Sequence, residues 1–148
     1  MSTDARITKD LIQTLEDGKD GFAKGAQKLE DDDSAQIART FRELSAQRSK
    51  FSDELQELAK DYGDHIEESG TVAAAIHRGW MTLKDVVTGS NPKGVLDVAE
   101  QGEDHAVKEY EKALEADISA GLRTVVARQL VEVRAAHNQV RDLRNAHA

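Results

Sequence analysis

At 148 residues the chain is the size of one domain, residues 1–148, built round one core, because two domains would both be undersized. A single proline, few aromatics and 32% charged residues argue against a strand-rich sandwich or barrel, and the absence of cysteine excludes disulfides, thiolate chemistry and Cys-ligated metal. With 28 acidic against 20 basic residues, the net charge of -8 repels phosphate backbones and anionic lipid, so nucleic acid and membrane surfaces are poor partners.

The first amphipathic pattern runs Ile7, Leu11, Leu15, Gly18, Phe22, Ala26 and Leu29, at helical threes and fours. The acids from Glu30 to Asp33 interrupt it, and Asp33 or Ser34 can cap the next helix. From there the spacing is a strict coiled-coil-like seam: Ile37, Phe41, Leu44, Arg48, Phe51, Leu55, Leu58 and Tyr62. Gly63 ends this second helix. A shorter helix follows in the connecting segment, with Val72, Ile76, Trp80, Leu83 and Val87 on its apolar face, and Trp80 anchoring it to the bundle with Gly79 permitting close approach and His77 or Arg78 bonding to bundle acids. Asn91 and Pro92 take the cap and first-turn positions of the next long helix, whose stripe is Leu96, Ala99, Glu103, Ala106 and Tyr110. Asp117 or Ser119 caps the last, which carries Leu122, Val126, Gln129, Leu130, Val133, Ala136, His137 and Val140. The N-terminal residues show no leader pattern, and the longest apolar run, Val72 to Ile76, is far short of a membrane span, so a cytoplasmic protein is the expectation.

The fold expected is all-α: two antiparallel hairpins of helices about 40 to 45 Å long at 1.5 Å per residue, joined by a link long enough to return the chain along the bundle. The second and third long helices then run parallel as neighbours, the ferritin-like arrangement with one long crossover. Matching their midpoints brings Arg48 level with Glu103. Counting about the turns places Gly18 opposite Arg48, leaving room for the guanidinium, and Val131 or Glu132 opposite Glu103, with Gln129 nearby. A buried polar layer of Arg48, Glu103 and Gln129, with Glu16 as a further member, is the expectation.

The words AAAIHRGWMTLK (Ala73 to Lys84), EQGEDHAVKEYEKAL (Glu100 to Leu114) and QLVEVRAAHNQVRDL resemble the bacterial ferritin-like four-helix-bundle family known as domain of unknown function 2383. LIQTLEDGKDGF and AQRSKF are similar to it as well. The resemblance implies a four-helix bundle and no established activity. Metal-using members of the ferritin-like superfamily carry a Glu on each of two helices and a Glu-x-x-His pair on each of the others. The best aligned positions here are Gln47 with Lys50 and Arg134 with His137, so cationic or neutral groups stand where metal ligands are needed. Surviving candidate ligands are Glu16 or Asp17, Glu100, Glu103, Glu132 and His137.

Two functional readings follow. The first is a non-enzymatic cytoplasmic bundle protein with no cofactor, stress-associated or self-associating as a homodimer or larger assembly. The second is a metal-binding protein, an oxidase, peroxidase or iron-handling protein, holding iron or manganese through Glu16, Glu103, Glu132 and His137.

Overall fold

The computed structural model describes residues 2–30, 34–60, 80, 82–83, 86 and 92–147. Over these residues the chain is helical and without strands: α1 is Thr3–Leu29, α2 Ala35–Ala59, α3 Lys93–Glu115 and α4 Ala120–Ala146. With 23 to 27 residues each, they span about 35 to 40 Å at 1.5 Å per residue. That is somewhat shorter than the spacing predicts. No helix among the described residues is long and apolar enough to cross a membrane. The short helix predicted within 71–88 lies outside the described residues, apart from Trp80, Thr82, Leu83 and Val86.

Local chemistry sets the helix ends. The hydroxyl of Ser2 accepts from the Ala5 N–H at 3.1 Å and that of Ser119 from the Leu122 N–H at 3.4 Å, each satisfying one orphan donor of a first turn. Ser119, not Asp117, is therefore the cap of α4. Ser34 stands at the N-cap of α2 but its side chain makes no capping bond. Pro92 sits at the N-cap of α3 instead of the first helical turn. Its carbonyl accepts from the Leu96 N–H at 3.1 Å, a role that needs no N–H of its own.

The core falls into two clusters, and their membership gives the topology. One joins the C-terminal half of α1 (Phe22, Ala26, Leu29), the N-terminal halves of α2 (Ile37, Phe41, Leu44) and α3 (Val95, Leu96, Ala99), and the C-terminal half of α4 (Ala136, Val140). The other joins the opposite halves, including Leu11 and Leu15, Phe51 and Leu55, Ala106 and Tyr110, and Leu122 and Val126. So α2 and α3 run parallel, and α1 and α4 run against them. The side-by-side pairs are α1 with α2, α1 with α3, α3 with α4 and α2 with α4. The two parallel helices are thus diagonal partners and not the neighbours expected from the link length.

Trp80 supplies the physical reason. It is 1% exposed, although it belongs to the link between the hairpins, and its ring meets Phe22 edge to face with centroids 4.9 Å apart. A Cβ placed on Gly21 of α1 or on Gly102 of α3 would lie 2.2 Å from the indole. No side chain fits at either position, so these two glycines form the slot that admits the ring. Because Trp80 is seated against both α1 and α3, α3 docks beside α1.

Candidate functional site

Arg48 occupies a seam position of α2 that the heptad pattern assigns to an apolar side chain, and Glu103 does the same on α3. Both are therefore carried into the interior by the burial of their neighbours Leu44, Phe51, Ala99 and Ala106. Across the bundle diagonal they form a bidentate pair: Nη1 donates to Oε1 at 2.5 Å and Nη2 to Oε2 at 2.7 Å. Each side chain is 1% exposed. Arg48 Nε donates to Gln47 Oε1 at 3.1 Å, and the guanidinium lies 5.5 Å from the centre of the Phe22 ring. Burial works against the charge on Arg48, but the facing carboxylate and its hydrogen bonds outweigh it, and the pKa rises above its ordinary value. The planar fork matches a carboxylate in both geometry and charge, so each group satisfies most of what the other lost on leaving water.

Gly18 does lie opposite Arg48. A Cβ there would sit 3.4 Å from the nearest guanidinium nitrogen, an ordinary contact, so the room it leaves is not essential. The indispensable glycines are the two against Trp80.

A second polar group lies further along the bundle. The hydroxyl of Tyr110 donates to Gln129 Oε1 at 2.7 Å, and Gln129 Nε2 donates to Glu54 Oε1 at 2.8 Å and to the Phe51 carbonyl at 3.3 Å. Glu54 also pairs with Arg128. Gln129 thus bonds with Tyr110, Glu54 and Phe51 rather than joining the Arg48–Glu103 layer. Tyr110 stands two turns along α3 from Glu103, which carries Gln129 out of its reach. Burial pushes the Tyr110 phenol far above its usual range and keeps it a neutral donor. Tyr110 was readable in outline, since a seam tyrosine needs a partner for its hydroxyl. Glu54 carries no such signal, because it falls between seam positions.

The other sequence-derived candidates are dispersed. Glu16 is buried on α1, where Lys19 Nζ stands 2.9 Å away. Glu132 is exposed on α4, as is Val131 at 63%, so neither faces Glu103. His137, half-buried at the edge of its stripe, bonds through Nε2 to Asp104 Oδ1 at 2.5 Å. Glu16, Glu103, Glu132 and His137 therefore do not converge on one point. Arg134 pairs with Glu111 at 3.1 Å on the surface. Gln47 and Lys50 line an open groove between α2 and α4 with Glu43, Phe51, Arg128 and Glu132. His77, Arg78 and Gly79 lie outside the described residues.

Among the described residues, the side chains that bring three potential metal-ligand atoms together are Glu100, Asp104 and His137, on the outer face between α3 and α4. The bundle centre, by contrast, holds an acid and a base that have neutralised one another. Arg48 cannot act as a base, and the oxygens of Glu103 are both occupied by its guanidinium.

No curated protein matches the chain. Residues 6–116, from the first turn of α1 through α3, match the family described as Domain of unknown function (DUF2383), and the chain belongs to that family.

Proposed function

We propose that the protein is a non-enzymatic, ferritin-like helical bundle of the cytoplasm in which the Arg48–Glu103 pair fills the volume that metal-using relatives reserve for two ions, and that it works by self-association. The single observation that carries this reading is the bidentate pair itself, buried to 1% exposure on both sides. A cation brought to Glu103 would have to displace a guanidinium from both carboxylate oxygens and leave it without a partner in a low-dielectric interior, a cost of several kcal/mol. The up-down-down-up order of the helices supports the ferritin-like part of the reading. The self-associating part is supported by the outer face of α4, where Ala127, Val131 and Ala135 stand exposed at successive turns. The cytoplasmic part rests on the acidic, cysteine-free composition.

Metal analysis tests the central claim. Tag-free protein purified without chelator and then loaded with iron or manganese should show no two-metal centre. Two ions per chain, lost on Glu103→Gln, would overturn the reading. For association, sedimentation should give a concentration-dependent mass that Val131→Glu reduces to the monomer. A monomer at every concentration would remove that part of the proposal.

A further inference from the structure

Away from the bundle centre, Glu100 and Asp104 stand four residues apart on α3 and so present their carboxylates on one face, and His137 reaches them from the antiparallel α4. One oxygen of each acid and one ring nitrogen of His137 all lie within 4.8 Å of one another. We propose that these three side chains form a site for a single first-row divalent cation of the zinc class, independent of the Arg48–Glu103 pair.

Three observations carry it. The donor set is mixed: one imidazole nitrogen and two carboxylate oxygens, which suits a borderline cation such as Zn2+ and leaves a further coordination position for water. The two ring nitrogens of His137 both face oxygen atoms, a count that either a second ring proton or a metal ion at Nε2 satisfies. Nε2 faces Asp104 Oδ1 at 2.5 Å and Nδ1 faces Asn138 Oδ1 at 3.3 Å, so both ring nitrogens meet oxygen acceptors, while a neutral imidazole has one proton to share between them. With that proton on Nδ1 and donated to Asn138, the Nε2 lone pair is directed at the carboxylates, the orientation in which an outer hydrogen bond holds a metal-ligating histidine. Finally, Glu100 Oε2 is buried, and Arg144 Nη1 stands 2.6 Å from it as its ion-pair partner. Positive charge already gathers at this oxygen. Arg144 is 36% exposed and can withdraw into water, so it acts as a competitor that a cation displaces.

The test is a Zn2+ titration of tag-free full-length protein against a competing chelator at neutral pH, repeated with Co2+ to read the ligand field. One site per chain is expected. His137→Ala, Glu100→Gln and Asp104→Asn should each weaken it by at least about tenfold, the lower end of the loss seen for outer-shell partners of metal sites. Arg144→Ala should tighten it, and Glu132→Gln should leave it unchanged. Zn2+ should raise the melting temperature of the wild type and not that of His137→Ala, since a cation that binds only the folded state stabilises it. All these positions lie at or near the surface, and unchanged helicity by circular dichroism confirms that the variants remain folded. The proposal is overturned by failure to bind Zn2+ or Co2+ at millimolar concentration, by binding that survives His137→Ala, or by Arg144→Ala leaving the affinity unaltered. Two ions per chain, lost on Glu103→Gln, would count instead against the reading of the bundle centre.

Discussion

Glu100 and Glu103 sit one turn apart on α3, and each is ion-paired to an arginine at almost the same distance, 2.6 Å to Arg144 and 2.5 Å to Arg48. The surroundings differ. Arg48 and Glu103 are both 1% exposed, whereas Arg144 and Glu100 are 36% and 15% exposed. Distance alone therefore says little about what a pair does. In the interior, neither partner has water to fall back on, so each is committed to the other. At the surface, Arg144 can exchange its carboxylate for solvent at small cost, which leaves Glu100 available to another cation.

The largest expected effect breaks the buried pair. Arg48→Ala or Glu103→Ala should each destabilise the fold by about 3 to 5 kcal/mol, because one charge is left buried without its partner. The paired change Arg48→Met with Glu103→Leu should cost far less than the sum of the two, since desolvation is relieved along with the attraction. Urea unfolding of the four proteins gives the coupling energy directly. Simple additivity would mean that the two side chains do not depend on one another, and the contrast with the surface pair would disappear.

A smaller effect comes from the slot beside that pair. Gly102 precedes Glu103, and a Cβ there would overlap the indole of Trp80. Gly102→Ala should destabilise by about 1 to 3 kcal/mol through overpacking and shift the fluorescence of this single tryptophan to longer wavelength as the ring is forced toward water. Gly18→Ala, whose Cβ meets only ordinary contact distances, is the matched control and should change the spectrum little. Tyr110→Phe follows, at about 1 kcal/mol for the lost buried hydrogen bond to Gln129.

The helices and the Arg48–Glu103 register were legible because they follow from periodicity. An arginine and a glutamate at apolar seam positions in the middle of parallel rods of similar length have few other places to go. What was not legible depends on contacts between elements distant in sequence. The seam pattern shows which face of α2 and of α3 is buried but not which helix lies beside it, so it does not separate diagonal partners from neighbours. Gly18 and Gly79 stand out by local spacing, whereas the need for Gly21 and Gly102 arises from an indole brought in from a distant part of the sequence. The stripe of α4 places Gln129 inside, but its bond to Glu54 depends on the rotation of α4 against α2, which hydrophobic spacing does not resolve to one residue. Asp104 and His137 meet for a similar reason: the turn between α3 and α4 sets which residues come level, and an error of a few positions hides the cluster.

The smallest expected effect concerns Glu54, a partly solvated acid that tests how far the surface rule extends inward. Partial burial pushes its carboxyl upward, but the hydrogen bonds from Gln129 and Arg128, with the charges of Arg128 and Lys50, outweigh that and hold it below its ordinary 4.5. A carboxyl whose pKa is lower in the folded chain contributes stability above the unfolded value, and that contribution is lost as the pH falls through the folded value. Wild type should therefore exceed Glu54→Gln in stability near neutrality, and the gap should close as the pH drops below 4.5. Because the side chain is 37% exposed, the gap should be a small fraction of the loss seen for Arg48→Ala. Urea midpoints for both proteins across the acid range provide the measurement. A gap that stays constant with pH would show that Glu54 acts through packing alone, and that the rule for solvated pairs already fails one layer in from the surface.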